Sequence, residues 1–402
     1  MRNRAVLFIV ITMVIDAMGI GLIIPVMPDL FEEVGASDLS RAAIWGGILA
    51  TTFAVMQFNF GPVLGGLSDR FGRRPVLLIS LAALAVDYLV MAVAGSLWLL
   101  LIGRMIGGIT AATQATANAY MADISAPEDR AANFGLLGAA FGVGFVLGPL
   151  IGGALAELGT RAPFYAAAFL SAANAVFGYF VLTETLSPEN RRPFSWRRAN
   201  PLGSLIQLRK LPGVGLLLVV FFIYQVAFTV YPAVWSFFGK ERFGWDPGMI
   251  GLSLGLFGIM LAIVQGALIR PILRVLGERG TVIYGHGFDV LAFLAIAFVT
   301  SGSVMLMLVP LAALAAVITP ALQGIMSKAV SADSQGELQG ALLSISSVAM
   351  IFSPMIMTGT FAAFTGPEAR VYLPGAPFIL SAALVALGLV VFLKATSKPA
   401  AA

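Results

Sequence analysis

Twelve long apolar runs separated by short polar stretches leave this chain few ways to fold. They lie at 5–28, 42–67, 75–95, 98–122, 132–156, 163–183, 213–238, 247–273, 280–301, 303–327, 338–364 and 372–394. A helix needs about 20 apolar residues to cross a bilayer, and a barrel strand only about ten. Lipid offers no partner to a bare backbone amide, so runs of this length must be helices. The expected fold is therefore all-α integral membrane, with twelve transmembrane helices. The chain is 59% hydrophobic and only 11% charged, against roughly 25% charged in soluble domains, so no water-soluble fold fits. Residues 1–24 imitate a signal peptide, with Arg2 and Arg4 ahead of an apolar run. That run contains Asp16, has no small-residue cleavage site and continues to Pro28, so it reads as the first span.

An even number of spans returns both termini to one side, and basic residues identify that side as cytoplasmic. With the termini inside, the inner segments hold eighteen of the 24 Lys and Arg residues. The outer loops hold only Arg41, Arg161, Lys240, Arg242 and Arg370, and Arg104 falls within a span. Residues 184–212 are the longest hydrophilic stretch and divide the spans six and six. The expected organisation is an N-terminal bundle over 1–183, a cytoplasmic linker over 184–212 and a C-terminal bundle over 213–402. Within the linker, Pro201–Lys210 reads either as an amphipathic surface helix or as plain connection.

Composition removes several kinds of chemistry. There is no cysteine, hence no disulfide or thiolate site, and one histidine, His286, cannot build a histidine metal cluster or serve a Ser-His-acid triad. No phosphate-binding Gly-x4-Gly-Lys-Ser/Thr loop is present, so direct ATP drive is not expected. No basic stretch is long and exposed enough for nucleic acid. The expectations are no enzyme activity, no cofactor and no resident metal.

What remains unusual is charge at membrane depth: Asp16, Asp87, Arg104 and Asp289, the last with His286 one turn away. Each such group costs roughly 2.5–3.5 kcal/mol on insertion scales. Asp16 lies about 16 Å into its span at 1.5 Å per residue, near the midplane. Such groups must face a wet cavity, pair with one another or sit neutral. Asp87 and Arg104 fit a buried pair locking spans three and four. They also fit a proton site, since a carboxyl alternating between a dry setting and a cation-paired one can load and release protons. Asp16 is the favoured acid for substrate or proton handling, with Asp289 next and facing a cavity from the second half.

Between the second and third runs lies Gly65-Gly66-Leu67-Ser68-Asp69-Arg70-Phe71-Gly72-Arg73-Arg74. It reads as a short cytoplasmic turn whose Asp69 meets helix N-terminal amides or a neighbouring arginine. Its pattern resembles the signature loop between helices 2 and 3 of the major facilitator superfamily. The second half echoes it weakly at Arg270, Gly277, Glu278 and Arg279, with Arg274 where the acid would fall. Two six-helix pseudo-symmetric bundles are how that superfamily is built. The fifth run carries Gly144, Gly148, Pro149, Gly152 and Gly153. Glycines four apart let helices approach closely, and the full string resembles the motif marking proton-coupled antiporters of the superfamily.

Taken together, the chain resembles the tetracycline-efflux branch of the drug:proton antiporters over nearly its whole length. The likeness rests on Asp16–Val26, Ser68–Leu77, Asp87-Tyr88, Gly103-Arg104, Arg242–Trp245, Pro320–Gly324 and Leu338–Gly340. It implies that Asp16, Asp87 and Asp289 are the acids of proton and substrate movement, with Arg104 as cationic partner. It further implies gating by Gly65, Asp69, Arg70, Gly72, Arg73 and Arg74, and a cavity lined by Gln57 and Gln265. Two departures bear on substrate: Leu261 stands where that branch has a histidine, and Gln114 and Asn118 where it has small residues. Gln114 and Asn118 share a helix face. They join Asp16, Asp289, Phe228 and Trp235 as expected cavity residues.

The expected function is proton-coupled antiport exporting small amphipathic compounds, tetracycline-like or other drugs, by alternating access from the inner membrane. Protons are the coupling ion, and a divalent cation enters only with a chelating substrate. The expected partners are a small molecule and the lipid bilayer, with the chain working as a monomer. Transport of an endogenous metabolite on the same fold is the alternative, separable by counterflow with and without a pH gradient. A non-transporting receptor or scaffold has no reason to hold four charges at membrane depth.

Overall fold

The structure, a computed structural model, describes residues 2–111, 113–126, 128–196, 199–200 and 213–397. The Pro201–Lys210 segment lies outside the described residues.

Among the described residues, eleven helical stretches are long and apolar enough to cross a membrane. They are Ala5–Glu33, Leu39–Phe71, Arg73–Val93, Leu97–Ile124, Ala132–Leu158, Ala162–Val181, Gly215–Phe243, Pro247–Phe298, Gly302–Ala329, Gln335–Thr365 and Ala376–Ser397. The eighth runs for 52 residues, about 78 Å of helix, which exceeds twice the roughly 30 Å of hydrocarbon. It is broken at Gly277, whose φ of 65° and ψ of 172° are not helical. It therefore supplies two crossings, and the spans number twelve. Large apolar side chains such as Phe169, Phe180, Leu291 and Leu343 are more than two-thirds exposed. Apolar surface on that scale suits lipid, not water.

The described chain falls into two compact units. Unit one comprises residues 1–37, 48–201 and 246–255, and unit two comprises 38–47, 202–245 and 256–402. The first turns of spans two and eight thus group with the unit opposite to the rest of their helix. In unit one, span one packs on spans five and six, and span three on spans four and six. In unit two, span seven packs on spans eleven and twelve, and span nine on ten and twelve. The pairing scheme repeats with an offset of six spans. Each unit has its own apolar core: Phe8, Ile9, Met13, Leu77, Leu81 and Tyr120 in the first, and Leu217, Phe221, Val282, Leu322 and Phe392 in the second.

Similar polar ties join the fourth span to the fifth and the tenth to the eleventh. Asn133 donates to Ser125 Oγ at 2.7 Å, and Ser327 Oγ donates to Gln335 Oε1 at 2.9 Å.

Three spans depart from straight helix. The fourth stops at Thr110 and resumes at Thr113, with Ala111 between them at ψ 63°. The Thr110 hydroxyl bonds back to the Ile106 carbonyl, and Gly107-Gly108 just before it are poor helix formers. The seventh is irregular at Thr229, which keeps helical φ and ψ of −61° and −15° and whose hydroxyl bonds the Gln225 carbonyl at 2.9 Å. The eighth carries a π-helical turn over Val264–Leu268.

Candidate functional site

The signature string corrects its sequence reading. Span two stays helical through Phe71, so Gly65 to Phe71 is helix, and the turn reduces to Gly72 alone. Only glycine suits this residue, since its φ is 111° and a Cβ would overlap the Glu184 carboxylate. Asp69 meets an arginine rather than helix amides: Arg73 Nη1 lies 2.6 Å from Asp69 Oδ1. The same arginine reaches Asp123 Oδ2 through Nε at 3.3 Å. Arg74 donates to the Tyr179 carbonyl at 2.7 Å and lies over the Tyr179 ring, while Arg70 lies over Phe71.

The free amides at the start of span three are taken by Glu184, 111 residues away, not by a residue of the turn. Its carboxylate accepts from Arg73 N at 2.8 Å, Arg74 N at 3.3 Å, Thr185 N at 3.0 Å and Leu186 N at 3.0 Å. The following segment lies along the turn. Arg192 N donates to the Asp69 carbonyl, and the Phe194 ring sits where a Cβ on Gly66 would point.

Deeper in unit one, Asp87 and Arg104 form an ion pair between spans three and four. Glycines at 103 and 107 recess the fourth span under that carboxylate, since a Cβ on Gly107 would overlap it. Arg104 also lies 5.2 Å over the Phe53 ring from span two. One oxygen of Asp87 and the Nε of Arg104 are buried without hydrogen-bond partners. Tyr88, fully buried, is within electrostatic reach of Asp87, Arg104 and Asp16 together. Its hydroxyl packs against Gly19, three residues beyond Asp16 on span one. Asp16 itself is half-buried and has no ion pair among the described residues. The Asp87–Arg104 pair and the Asp16 carboxylate thus lie in electrostatic reach of one phenol, and a single proton brings these three charges to neutrality.

The second-half acid lies elsewhere. Asp289 is 2% exposed, enclosed by helices of its own unit and not on an open face. Span seven presents Tyr224 and Tyr231, two turns apart; span nine presents His286, Asp289 and Phe293. Tyr224 stacks near His286 at 6.0 Å and Tyr231 near Phe293 at 5.5 Å, with Asp289 between and in electrostatic reach of both phenols. Asp289 Oδ2, the Tyr231 hydroxyl and His286 Nε2 are buried without partners. His286 Nδ1 meets the Val282 carbonyl at 2.8 Å, as a packing histidine does. Trp235 belongs to the same ring cluster, 6.0 Å from Tyr231 and from Phe378, and is as enclosed as Asp289.

Of the other expected cavity residues, Gln57, Gln114 and Gln265 are exposed, and Asn118 and Phe228 half-buried. Gln114 directly follows the break in span four, and Gln265 lies in the π-helical turn, an irregularity found often at functional sites.

The glycines of span five divide by task. A Cβ on Gly144, Gly148 or Gly152 would overlap backbone of span one at Val14, Met18 or Leu22. Gly153 instead abuts Pro247 and Gly248.

The sequence singled out neither Asp123, Glu184 nor Tyr231, and Tyr88 only as part of the resemblance, with no role. Asp123 and Glu184 sit just where spans four and six end, the one signal available for them.

The sequence matches the Major Facilitator Superfamily over residues 9–354. It is 45% identical over 361 residues to the class C tetracycline resistance protein of Escherichia coli, covering 90% of both chains. It is 36% identical to the class B protein of Escherichia coli, covering 89% of this chain and 88% of that one. Among solved structures it is similar to the human organic anion transporter MFSD10, at TM-score 0.71 and 26% identity, covering 97% and 99% of the two chains. The nucleoside transporter NupG shares the fold at TM-score 0.79 and 12% identity, with 99% of each chain covered. With twelve crossings, a repeated six-span packing scheme and these relatives, the chain belongs to the major facilitator superfamily and is a multi-pass membrane transporter of small molecules, not an enzyme.

Proposed function

We propose that this transporter is a proton-coupled antiporter exporting amphipathic compounds of the tetracycline class from the cytoplasm. The observation that carries the reading is the cluster of Asp16, Tyr88, Asp87 and Arg104, in which one acid is paired with the cation and a second, without an ion pair, lies near the same phenol inside the spans. A proton reaching Asp87 weakens its claim on Arg104, and one reaching Asp16 removes a negative charge near Tyr88. Either thereby changes the relative stability of two conformations, which is how a bound ligand drives a conformational equilibrium. The relatives named tetracycline resistance proteins support the substrate class. Export further requires the inner membrane, with both termini cytoplasmic as the basic residues suggest.

In this reading the chain acts as a monomer and needs no cofactor beyond protons. A divalent cation travels only with a chelating substrate, and no nucleic acid is involved. The Asp69–Arg73–Asp123 network acts as the cytoplasmic gate. Leu261, Gln114 and Asn118 tune which compound is carried, and the exposure of Gln114 beside a helix break favours a substrate with added polar groups.

Asp16→Asn tests this. In everted vesicles energised by a proton gradient, the variant is expected to lose tetracycline accumulation by about a hundredfold while inserting normally. Accumulation equal to that of the parent contradicts the proposal.

A further inference from the structure

The turn at Gly277 looks in sequence like a degraded copy of the signature turn, because the acid is missing. The structure shows a different relation. Each member of the first-half network has a counterpart 205 residues later: Asp69 and Arg274, Gly72 and Gly277, Arg73 and Glu278, Asp123 and Lys328. The glycine is kept, and all three charges are reversed.

The geometry is kept with them. Gly72 and Gly277 both have positive φ, 111° and 65°, and each makes the turn between two spans. In both halves the residue after that glycine is gripped from the end of the span that follows. Arg73 Nε is 3.3 Å from Asp123 Oδ2, and Lys328 Nζ is 2.7 Å from Glu278 Oε1. Gly324 makes room for this second pair, since a Cβ there would stand 3.0 Å from Glu278 Oε1. One link differs. Arg73 also binds Asp69, whereas Arg274 has no ion pair among the described residues. The Lys328 side chain is 74% exposed, and exposed ion pairs add little to folding stability. Holding the fold together therefore does not explain three aligned reversals around one retained turn.

We propose that Arg274, Glu278 and Lys328 form a second charge relay at the start of span nine. They work in the transport cycle as Asp69, Arg73 and Asp123 do, with every sign reversed. This rests on the reading of the first network as a gate. Glu278 is the central positioning residue, held by Lys328 in the conformation seen here. Arg274 is the cation released to engage Glu278 when that hold is broken.

The test is charge exchange. Lys328→Glu and Glu278→Lys each put like charges together, and the full exchange, both changes combined with Arg274→Glu, restores every attraction with the polarity reversed. Each single variant is expected to lower the maximal rate of tetracycline transport about tenfold, with KM within about twofold of the parent. The full exchange should recover about half the parental rate. Thermal midpoints should stay within about 2 °C, as expected for an exposed pair. Should either charge reversal fail to insert, Lys328→Gln and Glu278→Gln each remove the pair, and their double variant is then expected to lose no more rate than either single one.

Hydrogen exchange of the purified protein gives a readout that needs no substrate. Both single variants should change deuterium uptake over residues 68–76 of the first half, and the full exchange should return it. Rates within about twofold of the parent in all variants overturn the relay, as does a loss that the full exchange does not recover. A parent that carries no tetracycline overturns the substrate reading of the preceding section instead. The exchange measurement then decides this one: altered uptake over 68–76 supports the relay, and changes confined to residues around 278 and 328 overturn it.

Discussion

At the scale of single residues, Glu184 performs from the far end of span six the task that an N-cap residue performs locally. A helix start has free amide donors, and Gly72 has no side chain to offer them. Four amides converge on the Glu184 carboxylate. Replacing Glu184 by Ala should destabilise the protein by about 1 kcal/mol, the usual value of a lost cap. It should also raise amide exchange at Arg73 and Arg74, which mass spectrometry would read directly. Unchanged exchange there would show that the carboxylate is not the cap. Tyr231 offers the opposite case. Its hydroxyl is buried without a partner, so Tyr231→Phe should leave thermal stability equal or raise it by about 1 kcal/mol. A marked loss on melting would mean that the hydroxyl has a bonded partner, such as a trapped water shared with Asp289. The pairing of Asp87 with Arg104 was legible from the cost of charge in lipid. Glu184 was not, because an acid just past a span looks like any solvated loop residue until the chain folds back.

At the scale of elements, the glycine string of span five makes a prediction that separates packing from mere composition. Gly144, Gly148 and Gly152 each lie against the backbone of span one, while Gly138 and Gly142 have nothing within 4 Å of a built Cβ. Ala at 144, 148 or 152 forces spans one and five apart and should cost about 1–3 kcal/mol, the usual penalty of overpacking. Ala at 138 or 142 should be neutral. Thermal melts of the purified variants check this, and equal effects at all five positions would contradict the assignment. Helix number and order were readable from hydropathy, since length and apolarity are local properties. The break at Ala111, the irregular turn at Thr229 and the π-helical turn at Gln265 were not, because backbone bonding inside an apolar run leaves hydropathy unchanged. The signature turn was drawn too long for a related reason. Charged residues suggest a loop, yet Ser68, Asp69 and Arg70 lie on the last helical turns of span two, where Asp69 can reach Arg73 one turn on.

At the scale of the whole molecule, the repeated packing scheme of the two units expresses an internal duplication visible only faintly in sequence. The glycine turns survived it, while the charges around them changed sign, which is why matching residue types alone undervalued the second half. The two halves also differ in how they hold their acids. Unit one pairs Asp87 with a guanidinium and holds Asp16 near the same tyrosine, and unit two shuts Asp289 among aromatic rings. The proposal therefore assigns proton exchange first to unit one. The most direct test is proton movement in proteoliposomes holding a pH-sensitive dye, with no imposed gradient, when tetracycline is added to one side. The account predicts substrate-dependent proton flow against the direction of drug movement in the parent, and none above background with Asp16→Asn. Drug movement without proton flow, or equal flow in the variant, would contradict it.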